Sequence, residues 1–263
     1  MTITAKDVQN LRQSTGVGMM DAKRALEANE GDMEAAIQWL RIQGLASAAK
    51  RAARDASEGA VAVVRDGSVA AIVELRCETD FVAKSQEFVA LADEIAAEVV
   101  AEGDESIVHF KENIDTMLTT LKENISIGRV YRLEAGPDEV IETYQHFQAN
   151  HGVNAVIVVV KGASEDVAHE IVLHIAFARP LYLRREDVPQ AQIDAERTTI
   201  EEITRNEGKP EAAWPKIIEG RLNGWFKERV LLEQPFVKDE KETVAKFLKG
   251  ATITAYAQVV IGE

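Results

Sequence analysis

The stretch "AVAVVRDGSVAAIVELRC", residues 60–77, decides the fold class. From Gly59 onward the spacing of apolar residues has a period of two, and the Asp66-Gly67 pair divides the stretch into two β-rich runs. Both residues of this pair accept the left-handed backbone conformations of tight hairpins, so the pattern predicts two antiparallel strands. Helical spacing begins in the residues that follow, "ETDFVAKSQEF" at 78–88. A sheet followed by a helix is therefore predicted.

An acid and a large aromatic side chain, Asp80 and Phe81, stand at the joint between this sheet and its helix. The residues alone leave two interpretations open. In the first, Thr79 or Asp80 caps the helix and Phe81 enters the core, which is how most such junctions are built. In the second, the Asp-Phe pair is displayed to a partner.

The residues before the hairpin predict three short helices. Thr4 and Asp7 have the spacing of a capping box at the start of the first helix, and Asp32 is placed to cap the third. The third helix is predicted to end at Gly44, and the alanine-rich residues after it form a connector. Basic residues in this connector could contact nucleic acid, but the acidic total of the chain favours a helical connector.

The pattern of strands followed by a helix occurs a second time downstream. "ISIGRVYRLEA", "EVIETYQHFQ" and "VNAVIVVVKG" predict three antiparallel strands, the last two joined at "ANHG", and "SEDVAHEIVLHIAFARP" predicts a capped helix. Two charged helical stretches broken at "NEGKP" predict a projecting hairpin, and "TITAYAQVVIG" predicts a strand that returns to a sheet.

The predicted fold class is α+β: an N-terminal three-helix module, then two antiparallel-sheet-plus-helix subdomains with a projecting helical hairpin. The predicted divisions are the module at 1–44, the helical connector at 45–58, the first core subdomain at 59–135, and the second core subdomain at 136–263, including the hairpin at about 190–229.

Composition restricts the kind of partner. The 263 residues include 30 Lys and Arg against 44 Asp and Glu, a net charge of -14. This charge opposes binding to a phosphate backbone, which works by replacing condensed counterions with basic side chains. The single cysteine, Cys77, excludes an intrachain disulfide and a multi-cysteine zinc site and is expected to be buried and inert. With no signal-peptide pattern and no membrane-length apolar run, we expect a cytoplasmic protein that binds neither nucleic acid nor membrane.

A search for catalytic or cofactor motifs finds none that is complete. "GVG" at 16–18 follows no predicted strand, and "EGKP" at 207–210 lacks both the upstream glycine and the following hydroxyl of a phosphate loop. His169 and His174 are spaced by five, which turns the second imidazole away from the first on a helix. We therefore expect no enzyme activity, no cofactor, no metal site and no small-molecule substrate.

Four stretches resemble a known family. "LRQSTGVGMMDAKRALEANEGDMEAAIQWLR", "CETDFVAKSQEF", "HIAFARPLYLRREDVP" and "QPFVKDEKETVAKFL" are similar to the signature stretches of bacterial elongation factor Ts, in the family's order and over nearly the whole chain. The resemblance implies a guanine-nucleotide exchange factor for the translational GTPase elongation factor Tu, with a ubiquitin-associated-like N-terminal module. The alternative is a ubiquitin-associated-type adaptor that serves a non-GTPase client.

The resemblance also implies which residues bind the GTPase. Phe81 would enter an apolar slot beside Asp80 and disturb the magnesium and phosphate-loop region, while Thr79 and Val82 set the angle of this wedge. The partner-binding residues implied elsewhere are Arg12, Met19, Met20 and Lys23 in the N-terminal module and His146 in the second half.

The two adjacent methionines also have a simpler interpretation, as core filling. Neighbours on a helix point about 100° apart, so at most one of Met19 and Met20 should be fully buried. Two departures from the family pattern stand out. Arg76 replaces a small amide before the cysteine, and the sequence stops soon after "VVIGE", where longer members continue into a C-terminal helical module. The contact made by that module is expected to be missing or rebuilt.

Overall fold

The hairpin predicted at residues 60–77 is present in the structure, a computed structural model that describes residues 3–51 and 53–263. Its strands, β1 (Glu58–Asp66) and β2 (Val69–Cys77), pair antiparallel with Asp66 opposite Val69. Gly67 makes the turn at a φ of 56°, a left-handed conformation that glycine adopts without steric cost. The other edge of β2 pairs with β3 (Ser126–Glu134), which completes the first sheet.

The sequence pattern groups the strand at 126–134 with the two strands after it, whereas the predicted division at residue 135 assigns it to the first half; the structure pairs it with the first sheet. The second sheet consists of β4 (Glu139–Gln148), β5 (His151–Lys161) and β8 (Thr252–Val260), in that order, while β3 stays on the first sheet through antiparallel pairing with β2. The amide of Ala135 still donates to the carbonyl of Ser68 at 2.8 Å, so the chain leaves the first sheet only after this residue. Two further strands, β6 (Pro235–Phe236) and β7 (Asp239–Thr243), form a small sheet of their own.

The two larger sheets pack face to face, and a long helix lies on the outer face of each. Val73 and Leu75 point from the first sheet towards α5 (Gln86–Glu102), whereas Ile72 points towards Ile157 of the second sheet. The outer face of the second sheet is covered by α7 (Glu165–Ala178). Because both faces of β2 are buried, its residues form a nearly continuous apolar run.

The N-terminal module consists of α1 (Ala5–Thr15), α2 (Met19–Ala28) and α3 (Met33–Arg51) around a small apolar core. The predicted capping box is confirmed, since Thr4 and Asp7 satisfy each other's backbone amides. Asp32 Oδ1 accepts a hydrogen bond from the amide of Ala35 at 3.0 Å, which confirms the cap predicted for α3.

The predicted end of α3 at Gly44 is wrong, because the helix continues to Arg51. At Gly44 it crosses α6 (Lys111–Thr120), and a Cβ atom there would collide with the side chain of Thr119. Glycine at this position therefore permits the close approach of two helices. The division between module and connector, which falls inside this helix, stays a prediction.

The second half contains the predicted helical hairpin. Its arms are α8 (Gln190–Asn206) and α9 (Trp214–Arg229), which share a narrow buried stripe that includes Ile200 and Leu222. A short helix, α10 (Val244–Phe247), precedes β8, which pairs with β5 and so returns the chain to a sheet as predicted. Within residues 3–51 and 53–263, no helix combines the length and the apolar character needed to cross a membrane.

Candidate partner-binding surfaces

A one-turn helix, α4 (Asp80–Ala83), is inserted between β2 and α5 and forms what we call the tip. Thr79 is its N-cap: the backbone is extended, and the hydroxyl accepts a hydrogen bond from the amide of Val82 at 3.4 Å. Of the two capping residues considered from the sequence, the structure thus selects Thr79.

Phe81 lies outside the core. Its side chain is 83% exposed, whereas Val82 and Ala83, the next two residues, are 8% and 0% exposed and pack into the core beneath α5. The interpretation of Phe81 as a core residue is therefore wrong. The buried neighbours fix the turn while the aromatic ring faces solvent.

Asp80 carries a negative charge next to this ring. Its carboxylate accepts a hydrogen bond from Lys84 Nζ at 2.6 Å, and this bond lowers the pKa of Asp80 below its ordinary value. The carboxylate is partly exposed and stays ionised at neutral pH. The tip thus offers an apolar ring and an ionised acid side by side.

Cys77, at the end of β2, is buried as predicted. It has no exposed surface, and its Sγ lies 3.2 Å from the carbonyl oxygen of Thr79. Burial, assisted by the nearby charge of Glu123, raises the pKa of the thiol to about 12. The thiolate that reacts with oxidants and electrophiles is therefore suppressed at neutral pH.

The four residues singled out in the N-terminal module are all exposed. Met19 and Met20 are 55% and 67% exposed, while α2 buries Ala22, Ala25 and Leu26 instead. Core filling is therefore the wrong interpretation for either methionine. Arg12, in the last turn of α1, is exposed as well, and Lys23 lies 3.6 Å from Glu27 in an exposed ion pair.

His146 is exposed near the end of β4, where its ring stacks against Tyr144. The Tyr144 hydroxyl lies 3.3 Å from His146 Nδ1. Both residues line an open groove of about 650 Å³ whose opposite wall comes from the last turns of α7, including Leu173 and Phe177. His146 therefore belongs to a larger surface that combines polar and apolar side chains.

Sequence reasoning missed the apolar part of this surface. Phe177, which lines the groove beside Leu173, is 75% exposed. One local signal was present for Phe177. The buried stripe of α7 runs through Ile171 and Ile175, and a phenylalanine two positions beyond Ile175 falls off that stripe, on the solvent side.

The histidine pair considered as a metal motif is separated by burial. His174 is 1% exposed; its Nδ1 accepts from the amide of Val237 at 3.3 Å, so its Nε2 donates to Gln234 Oε1 at 3.0 Å. Burial lowers the pKa of His174, which favours this neutral form. His169 is exposed and lies 3.7 Å from Glu142. The two imidazoles thus have different partners.

One group of described side chains has the spacing of metal ligands. Donor atoms of Glu98, Glu102 and His109 all lie within 4.8 Å of one another. His109 Nδ1 lies 3.1 Å from Glu98 Oε1; the His109 side chain is exposed and that of Glu98 is half-buried. The pairing of histidine with carboxylate accounts for the close approach of His109 and Glu98.

Comparison with known proteins places the chain in a family. The family model described as elongation factor TS matches residues 78–263. Proteins named elongation factor Ts from Clavibacter sepedonicus and Kineococcus radiotolerans are each 43% identical to it, and one from Clavibacter michiganensis is 44% identical, over 98% of both chains in every case. The chain belongs to the elongation factor Ts family. It is a translation elongation factor of the exchange-factor class.

The match to elongation factor Ts covers the surfaces described above. The family model begins at Glu78, so it includes the whole tip and the strand that carries His146. The N-terminal module lies before the region that the model matches, but the elongation factor Ts relatives align over nearly the whole chain and so include it.

Proposed function

We propose that this chain binds elongation factor Tu in its GDP form and promotes GDP release, so that GTP can bind. In this proposal Asp80 and Phe81 are a wedge that disturbs the magnesium and phosphate-loop region of the GTPase. The observation that carries the proposal is the 83% exposure of Phe81 on a capped turn whose next two residues are buried.

An exposed aromatic ring on a fixed turn is suited to insertion into a slot. Burying a phenylalanine side chain contributes roughly 1.5–3 kcal/mol, and the ring has only two rotatable bonds to immobilise. The buried side chains of Val82 and Ala83 and the Thr79 cap already order the backbone of α4, so little further ordering is required on binding.

Exchange requires that the factor bind one state of the GTPase better than another. A ligand shifts an equilibrium only by its differential affinity, so the wedge must contact the nucleotide-free state more favourably than the GDP-bound state. The coupling is reciprocal, and nucleotide binding then expels the factor. No covalent bond is made or broken, so the proposed role is binding rather than enzyme catalysis, with no cofactor of its own.

Two further surfaces would hold the GTPase while the wedge acts. In the N-terminal module, exposed Met19 and Met20 provide apolar contacts, with Arg12 and Lys23 as the neighbouring cations. In the second half, His146 and Phe177 line the 650 Å³ groove. In this proposal the surfaces lie in the N-terminal module (1–44), the first core subdomain (59–135) and the second core subdomain (136–263).

The test is the rate of release of a fluorescent GDP analogue from elongation factor Tu. Catalytic amounts of the wild-type chain should accelerate release, and Phe81→Ala should lower that acceleration about 30-fold, as expected for an interface hot spot. Val108→Ala is the matched control, because Val108 is 67% exposed and belongs to none of the three surfaces. No acceleration by the wild-type chain would reject the proposal and favour an adaptor for a non-GTPase client.

Magnesium titration separates two roles of Asp80. If its carboxylate helps to displace the ion, the defect of Asp80→Ala should shrink when magnesium is lowered. If Asp80 acts only through its ion pair with Lys84, the defect should be independent of magnesium and should be reproduced by Lys84→Met. A magnesium-independent defect in both Asp80→Ala and Phe81→Ala would reject ion displacement.

A further inference from the structure

Glu123 lies in the segment after α6, and its carboxylate reaches the residue that caps the tip. Its Oε2 accepts hydrogen bonds from the amides of Glu78 and Thr79, both at 3.1 Å. Its Oε1 accepts a hydrogen bond from the Thr79 hydroxyl at 2.6 Å. One carboxylate thus receives three donors from two consecutive residues immediately before α4.

These bonds determine what the Thr79 hydroxyl can do. A threonine hydroxyl has one proton, and here the proton is donated to Glu123. A lone pair of the same oxygen is then directed to the amide of Val82, the bond that caps α4. Glu123 therefore selects the side-chain orientation in which Thr79 serves as the cap.

The contact between the two segments runs in both directions. While Glu123 accepts from the amides before the tip, Glu78 Oε1 accepts from the amide of Asn124 at 2.7 Å. The neighbouring Lys122 donates from Nζ to Asp21 Oδ2 at 2.6 Å. Asp21 lies on α2, between Met20 and Lys23 in sequence. Three consecutive residues thus join the tip to the N-terminal module.

We propose that Glu123 is a positioning residue for nucleotide exchange. It holds Thr79, and through Thr79 the turn of α4, so that Phe81 is presented in one orientation. This role rests on the proposed exchange function and on Phe81 as the wedge. Glu123 itself acts through the tip, without contact to the nucleotide.

Glu123→Gln is a sharp test, because glutamine keeps the shape of the side chain but has one acceptor oxygen instead of two. Its –NH2 group must face either the backbone N–H donors or the Thr79 hydroxyl that now donates to the carboxylate, and its remaining oxygen is uncharged, so the hydrogen bonds that it keeps are weaker. We expect the GDP release rate at saturating exchange factor to fall about tenfold, while the half-saturating concentration changes less than about threefold. Glu112→Gln is the control, since Glu112 lies on α6 but pairs with Arg41.

A double-mutant cycle with Phe81→Ala decides whether Glu123 works through the tip. If it does, Glu123→Gln should have no further effect on the saturating rate in the Phe81→Ala background. Multiplication of the two defects would overturn the positioning role. Loss of folded protein alone would lower the active fraction in both backgrounds equally and would appear as such a multiplication.

Amide hydrogen exchange of the free chain provides a readout that does not depend on the GTPase. The amides of Glu78 and Thr79 should exchange faster in Glu123→Gln than in the wild-type chain, while those of α5 remain unchanged. Unaltered protection at both amides would overturn the proposal. If the wild-type chain fails to accelerate GDP release, the exchange function fails first, and the role of Glu123 in exchange fails with it.

Discussion

The two sheet-and-helix halves of the molecule follow the same plan but place their exposed aromatic rings differently. In both, a serine caps the helix that covers the sheet: Ser85 accepts from the amide of Phe88, and Ser164 from that of Val167. In the first half the exposed ring is Phe81, before the covering helix begins. In the second half the most exposed ring among the described residues is Phe177, at the end of the covering helix.

The difference arises at the junction between sheet and helix. The first half inserts α4 there, and its buried residues hold one exposed ring on a short turn. The second half passes from β5 to the Ser164 cap through Gly162, with no inserted turn, and its exposed Phe177 lies beside a groove. The common plan of the two halves therefore does not determine where the exposed aromatic ring lies. A single projecting ring and a broad groove should also differ in their contribution to exchange.

The largest expected effect is a difference in stability between removing a buried ring and removing an exposed ring in the first half. Phe88 has no exposed surface, and Phe88→Ala should lower the free energy of unfolding by about 3–5 kcal/mol through lost burial and the cavity left behind. Phe81→Ala should change it by less than about 0.5 kcal/mol. Urea unfolding of both variants measures this contrast. Equal destabilisation by the two substitutions would indicate that Phe81 is a core residue.

A second prediction concerns the contact between the halves. Glu74 is 2% exposed; burial alone would raise its pKa, but hydrogen bonds from Arg129 and Arg76 lower it to about 2 from 4.5. Arg129 also donates to the carbonyl of Val260 in the second sheet at 2.8 Å. Because the folded-state pKa is depressed, the stabilisation is present above about pH 4.5 and is lost as pH falls towards 2.

The expected size of this acid loss is roughly 2–3 kcal/mol. It should be measured as the difference between the wild-type chain and Glu74→Gln in urea unfolding from pH 6 down to about pH 2.5. Glu134→Gln is the control, because the Glu134 side chain is 63% exposed. A wild-type curve parallel to that of Glu74→Gln would contradict the assignment.

A third prediction separates the groove from the tip kinetically. Phe177→Ala should raise the half-saturating concentration of the chain in the GDP release assay about tenfold, equivalent to about 1.4 kcal/mol of binding, and should change the saturating rate less than twofold. Phe81→Ala should show the opposite division. If both variants change mainly the half-saturating concentration, or both mainly the saturating rate, the proposed difference between the groove and the tip is wrong.

The smallest expected effect is a pH dependence in the second half. Burial lowers the pKa of His174 below its ordinary value of 6.5, although Gln234 opposes this shift. The unfolded chain then takes up a proton more readily, so stability falls as pH drops below 6.5, by at most about 1.4 kcal/mol per pH unit. His174→Gln should lack this slope between pH 6.5 and pH 5.5. His169→Gln, which alters an exposed histidine, should retain it.

Local rules in the sequence predicted several features of the fold correctly. The Asp66-Gly67 hairpin and the Thr4–Asp7 capping box depend on residues that are close in sequence. The partner of β3 and the end of α3 depend on contacts made far along the chain. Gly44 resembles a helix stop until Thr119 is placed against it, and only the folded chain brings these two residues together.

The residues of the candidate site also divide into those that the sequence indicated and those that only the folded structure reveals. Spacing alone left Phe81 between core and surface, and its exposure follows from the burial of Val82 and Ala83 beneath α5. Phe177 could be identified as a residue off the buried stripe of its helix. Glu123 had no such signal. The amides that donate to its carboxylate belong to Glu78 and Thr79, which precede it by 45 and 44 residues.

The burial of Cys77 makes the molecule convenient to label. Its thiol is the only one in the sequence, has no exposed surface and has a pKa raised to about 12, so maleimide reagents should leave the folded chain unmodified at neutral pH. A cysteine introduced at an exposed position then becomes the single reactive handle. Val108→Cys would carry a fluorophore for following complex formation without blocking any of the three proposed surfaces. No native cysteine therefore has to be replaced before a label is attached at one chosen position.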